Sequence, residues 1–397
     1  MTGGKANKTY AALMLMAAIL LVCCAVPGII RTADRHHSTA VVGAAAGHTR
    51  VNMAWQTSTN KLTDLTFSSN GQYLAAVDCK SAVCVYNIAG KKQYISAVPG
   101  IDRVVICPDG SYSMAFSHLD RDNTTCTFLD NKGKICWDLR VNGAVWSADS
   151  CSIDGGARFV IGTGTKRVYV VDIGAHRKYY KWWTAPGAVV SLYVEPDGED
   201  IIFGTWQDSS VERRSVDGRR AWHQDADLAT LPNVEKLGVS GRLAVRYLPN
   251  NRCADGSYEI IGVGGREIAR GSIDASEKTR VLFDPTGKYV CINYTEVIEH
   301  KGKSMIEKRT VLQDASGTRL WEKGSAFFQT DPILVTSKGE VLLRDANNAV
   351  FITGGSGTLK QVMKLQAKPL RCAYSKDGSL CALSCSDGSL HLLKLSR

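Results

Sequence analysis

LTFSSNGQYLAAV (residues 65–77) is an alternating apolar strand, a turn ending in glycine, and a second apolar strand. The same arrangement recurs as VVICPDGSYSMAF (104–116), VLFDPTGKYVCIN (281–293) and CAYSKDGSLCALS (372–384), with four looser copies between them. The turn glycines are Gly71, Gly110, Gly155, Gly198, Gly241, Gly287, Gly339 and Gly378, spaced 39, 45, 43, 43, 46, 52 and 39 residues apart. Asn-Gly and Asp-Gly suit hairpin turns because these residues tolerate positive φ.

A second hairpin follows each of these and often ends in tryptophan, as in FLDNKGKICW (128–137), RRSVDGRRAW (213–222) and VLQDASGTRLW (311–321). Tryptophan lies four residues after glycine in these three and eight after it in Gly174/Trp182, and even spacing predicts one shared strand face. Each unit thus holds four strands. One such sheet cannot bury both faces alone, whereas sheets stacked around an axis can. The pattern predicts an all-β, eight-bladed β-propeller over 47–397.

The last unit (370–397) supplies three strands before the sequence stops, and GHTRVNMAWQ (47–56) supplies one strand with no hairpin partner. Its Gly47-to-Trp55 spacing is also eight. It is therefore expected to complete the C-terminal blade, with Val51–Trp55 pairing against Leu390–Lys394, and to leave no open edge.

The second hairpins resemble the pyrroloquinoline-quinone-like repeat, roughly D-x-x-T-G-K-x-x-W, through LDNKGKICW (129–137), SVDGRRAW (215–222) and QDASGTRLW (313–321). The first-strand pattern is similar to WD-like repeats. The resemblance implies an eight-bladed propeller. Its quinoprotein dehydrogenases would carry a quinone, a cation and an adjacent cysteine pair. Here the only adjacent pair is Cys23-Cys24, within an apolar run, so no cofactor or metal is expected. The non-catalytic branch, which includes the lipoprotein of the outer-membrane assembly machine, is the better analogue. That analogy concerns fold, and function has to be argued from a site.

Residues 1–9 form a short basic tail, and Tyr10–Ile30 contains no charge. Such a run can cross a bilayer core of about 30 Å as one helix. The expectation is an uncleaved transmembrane anchor at 10–30 and a small-residue tether at 31–46; a cleaved signal peptide is the alternative. The charge bias across the span is small. A short N-terminal tail favours an extracytoplasmic propeller, and unpaired thiols would suit a cytoplasmic one.

The net charge is +10, but the basic residues are scattered; the densest groups are Arg213, Arg214, Arg219, Arg220 and Lys301, Lys303, Lys308, Arg309. Solvated strand faces are the expected explanation, attraction to an anionic envelope surface or polymer is the alternative, and nucleic acid is not expected as a partner. Of thirteen cysteines, most fall in strand-like runs and read as buried apolar side chains. Cys79 and Cys84 are the best candidates for a local disulfide. No metal, nucleophile or phosphate-loop motif is present.

The candidate partner-binding rim lies on the channel mouth formed by second-to-third strand loops and blade-to-blade connections. It comprises Asp120 and Asp122 (117–125), Asn251 (246–257), Trp206, and Val297, Ile298, Met305 and Ile306 on an extended hairpin (293–308). Apolar residues on a protruding hairpin suit docking to a partner; the alternative is a hairpin folded over its own blade. Trp146 and Trp206 are either rim contacts or blade packing. The expected function is a membrane-tethered, extracytoplasmic scaffold with a protein partner in the cell envelope. The alternative is a small-ligand, glycan or peptide receptor or enzyme at that mouth.

Overall fold

A computed structural model describes residues 49–396, apart from 118–121, 226–229, 239–241, 250–255, 263, 274–278, 301–302, 326–330, 346 and 355. The proposed span at 10–30 and its tether lie outside the described residues.

The described strands form eight four-stranded antiparallel sheets. Blades 1 to 7 are consecutive in sequence, and their inner strands are Leu62–Phe67, Arg103–Ile106, Val145–Ile153, Ala188–Val194, Thr230–Leu237, Arg280–Phe283 and Asp331–Val335. Blade 8 is built from both ends of the propeller: Pro369–Tyr374, Leu380–Cys385 and Ser389–Ser396 are closed by Arg50–Ser58 as the outer strand. In this clasp Val51 faces Leu395, Asn52 faces Lys394, and Trp55 faces Leu392 after a bulge. The expected pairing is present. It is fastened to blade 7 by the Thr49 N–H, which donates to the buried Glu340 carboxylate at 3.2 Å.

The first-hairpin turns form for the reason the pattern gives. Gly287 takes φ +69° in the turn after Phe283, where residues with a Cβ are rarely found. Asp284, fully buried, accepts the N–H groups of Thr286 at 2.9 Å, Lys288 at 2.6 Å and Tyr289 at 2.7 Å. That Asx-type cap satisfies donors the tight turn leaves without strand partners.

Outer-strand aromatics join neighbouring blades. Trp55 of blade 8 lies over Gly90 of blade 1, where an added Cβ would stand 2.8 Å from the indole. Its Nε1–H donates to the Ile88 carbonyl at 3.0 Å. Trp183, Trp222 and Trp321 pack in the same way on Gly218, Gly265 and Gly357. Around the channel, polar side chains pin successive inner strands: Asp64 accepts the Val104 N–H at 3.0 Å, and Asp149 accepts the Val194 N–H at 3.1 Å.

Two expectations are corrected. Trp182 does not share the docked face: it is 48% exposed under the Arg167 guanidinium, and Trp183 docks instead. The third-to-outer hairpins of the other six consecutive blades each carry a bulge, and blade 3 pairs without one. A missing extra residue reverses side-chain parity counted from the glycine. Cys79 and Cys84 are both free: Cys79 is exposed in a turn, whereas Cys84 points into the core, where burial pushes its thiol up to about 11.

Candidate functional site

Second-to-third strand loops and first-to-second strand turns necessarily lie at opposite ends of each blade. The two channel mouths are therefore built from different segments, and each presents a distinct set of side chains.

At the loop mouth, the blade 6 hairpin dominates. Its strands, Tyr289–His300 and Lys303–Asp314, have 12 residues each and pair along their full length to His300 opposite Lys303. The corresponding strands of the other blades have 4–8 residues. The inner strand pairs only as far as Asn293, and the outer strand only as far as Lys308. Beyond these points the described hairpin residues pair with one another. Val297 faces Ile306 and Ile298 faces Met305, and Ile306 is 75% exposed.

The hairpin's root is held by Arg309, whose guanidinium reaches Glu296 at 2.7 Å, Glu307 at 3.1 Å and Glu322 at 2.6 Å. The hydrogen bond from Arg309 holds Glu322 below the ordinary carboxylate value. Such a network around one guanidinium fixes direction more than it adds stability, because its members remain partly open to water.

The other rim candidates do not join the hairpin. Asp120 and Asn251 lie outside the described residues. Asp122 is exposed on blade 2, and its backbone carbonyl accepts the Gly143 N–H at 2.8 Å. Trp206 is half-buried with its ring centre 5.8 Å from that of Trp146, so this pair packs blade 3 against blade 4.

The turn mouth gathers side chains that no local motif links. Inner-strand ends from blades 1, 3, 4, 5, 6 and 8 converge on a cavity of about 350 Å³. Phe67, Leu192 and Phe283 supply apolar wall, and Tyr193, Lys236 and Lys376 supply polar groups. Lys236 Nζ donates to the Tyr193 hydroxyl at 2.5 Å, and that hydroxyl donates to Glu195 at 3.3 Å. Lys376 Nζ stands 4.8 Å from the centre of the same ring.

Opposite them, Glu235 accepts the Tyr374 hydroxyl at 2.9 Å and pairs with Arg246 at 3.2 Å. Burial, and then the Lys376 charge, pulls Lys236 below the ordinary lysine value. Burial, and then Glu195, pushes the Tyr193 hydroxyl up; burial and Glu235 do the same to Tyr374. Desolvation of this kind marks groups taken out of water in a concave site. A sequence signal existed: Phe67, Phe283 and Tyr374 each stand four residues before a turn glycine. The cavity lies at the mouth opposite the one expected from loop lengths.

Among the described residues, no three His, Cys, Asp or Glu side chains converge as metal ligands. The arrangement can dock a chain on the hairpin and bind a small group in the cavity.

No family model and no curated protein matches the sequence. Many solved structures are similar to it, among them the following two. The first, described as "Structure of Dos1 propeller", has a TM-score of 0.61 at 8% identity, covering 87% of this chain and 94% of that one. The second, BamB from Moraxella catarrhalis, has a TM-score of 0.55 at 14% identity, covering 87% and 97%. At such identities the likeness is one of fold: the chain is an all-β, eight-bladed β-propeller.

Proposed function

We propose that this protein is a membrane-tethered, extracytoplasmic β-propeller that serves as a protein-interaction scaffold in the cell envelope. We further assign its repeats to the non-catalytic branch of the pyrroloquinoline-quinone-like type. The observation that carries the scaffold reading is the blade 6 hairpin, which runs past its own sheet and carries Ile306 at 75% exposure. A paired ribbon that extends beyond its own sheet offers backbone groups and the exposed Ile306 side chain to a partner. The uncharged stretch 10–30 and the fold likeness to BamB support the tether and the scaffold role respectively.

The test is photo-crosslinking in intact cells from an unnatural aryl ketone placed at position 306, with the same group at Ile95 on blade 1 as a control. The scaffold reading expects one reproducible envelope-protein adduct from position 306 and none from position 95. Equal or absent adducts at both positions would sink it. Cleavage of the propeller by protease added to cells with a permeabilised outer layer and an intact inner membrane tests its side.

A further inference from the structure

We propose that the cavity at the turn mouth of the channel is a binding site for a carboxylate carried on a small apolar body. It lies at the end of the blades opposite the blade 6 hairpin, so it stands or falls independently of partner docking there.

The argument is a count of donors against acceptors. Lys376 has no hydrogen bond or ion pair among the described residues; its ammonium rests 4.8 Å from the Tyr193 ring centre. Lys236 uses one of its three N–H groups, on the Tyr193 hydroxyl. The acids lining the cavity already accept hydrogen bonds, and Glu195 beside them accepts the Tyr193 hydroxyl at 3.3 Å. Glu235 is held by Tyr374 and Arg246, Asp149 takes the Val194 N–H, and Asp284 takes three turn N–H groups. Two half-buried ammonium groups beside one tyrosine repel each other and have lost part of their hydration. An anion seated between them would offset both costs, and two charge-assisted hydrogen bonds would fix it.

The rest of the cavity sets the ligand's shape. Phe67, Leu192 and Phe283 give it an apolar wall, and about 350 Å³ is near the lower bound for small-molecule pockets. That volume suits one ring or short branched chain attached to the acid. A free small acid and the C-terminal residue of a peptide share this chemistry.

Isothermal titration of the full-length chain in detergent with phenylacetate, phenylacetamide, N-acetylglycyl-phenylalanine and its C-terminal amide separates the cases. Phenylacetate should bind at least tenfold more tightly than phenylacetamide, and Lys376→Met should weaken it about tenfold without changing the melting temperature. Tighter binding of the acetylated dipeptide than of phenylacetate, lost in its amide, assigns the site to a chain terminus; the reverse order assigns it to a free acid. Acetylation of the wild-type protein, followed by peptide mass spectrometry, adds a readout that needs no variant: phenylacetate should protect Lys236 and Lys376. Equal binding of acid and amide, no binding of either acid, binding unchanged in Lys376→Met, or no protection of the two lysines would overturn the proposal.

Discussion

Replacing Trp55 with alanine tests whether the N-terminal strand is the clasp of the ring. Truncating a core tryptophan costs about 3–5 kcal/mol, and Trp55 is half-buried, so about 2 kcal/mol is expected from lost packing on Gly90 and Tyr86. Losing the Nε1–H bond to the Ile88 carbonyl adds about 1 kcal/mol. At about 2.1 cal/mol/K per residue, a domain of about 350 residues has an unfolding entropy near 0.7 kcal/mol/K, so about 3 kcal/mol lowers Tm by about 4 °C. Trp55→Phe keeps a ring over Gly90 and should cost roughly 1 kcal/mol, mostly the indole hydrogen bond. Calorimetry gives Tm, and hydrogen exchange reads the mechanism: amides of Arg50–Ser58 and Ser389–Ser396 should exchange faster in Trp55→Ala, because each strand is the other's ladder partner. If Trp55→Ala stays within about 0.5 kcal/mol of wild type, with exchange in both strands unchanged, closure does not depend on this contact and the clasp reasoning fails.

Trp183→Ala should cost about 2 kcal/mol and Trp182→Ala less than about 1 kcal/mol in urea unfolding, since only Trp183 packs against a neighbouring blade. Equal costs would refute the bulge-based parity. His391 is 2% exposed beside the clasp, and burial lowers its pKa below the ordinary 6.5, so the unfolded chain binds its proton first. Stability should therefore be fully present above about pH 6.5 and fall as pH drops through the folded value; His391→Asn should flatten that part of a Tm-against-pH curve. Maleimide labelling of the native protein, mapped by mass spectrometry, should modify the exposed Cys79 and spare Cys107 and Cys291, whose buried thiols are each pushed up to about 12.

Much of the fold was legible because its signals are local. A turn glycine at positive φ, a capping Asp or Asn before it, and alternating apolar residues on either side all fall within about a dozen residues, and each recurs. Blade closure was legible for a different reason. A propeller cannot leave a sheet edge open at its seam without exposing unpaired backbone, so a spare strand at one terminus and a missing one at the other determined each other. The misreading of Trp182 shows the limit of counting. A bulge adds one residue and reverses which face every later side chain takes, and glycine-to-tryptophan spacing alone does not reveal whether the bulge is there.

The two mouths of the channel separate what length reveals from what convergence reveals. The blade 6 hairpin was visible as an insertion, and its pairing continues from Thr295 to His300 with residues 303–308, beyond the reach of the inner and outer strands. The cavity had no such signature. Its donors come from Tyr193, Lys236 and Lys376, on three different blades, and no spacing rule relates residues that meet only because a ring closes. The turn glycines do place Phe67, Phe283 and Tyr374 at one repeated position, four residues upstream, where the inner strand reaches the channel mouth. In a repeat protein, a binding site is therefore best sought by aligning the repeats to one another and asking which equivalent positions depart from the common residue type. Here that comparison leads to the aromatic wall of the cavity, and the two lysines follow from its geometry.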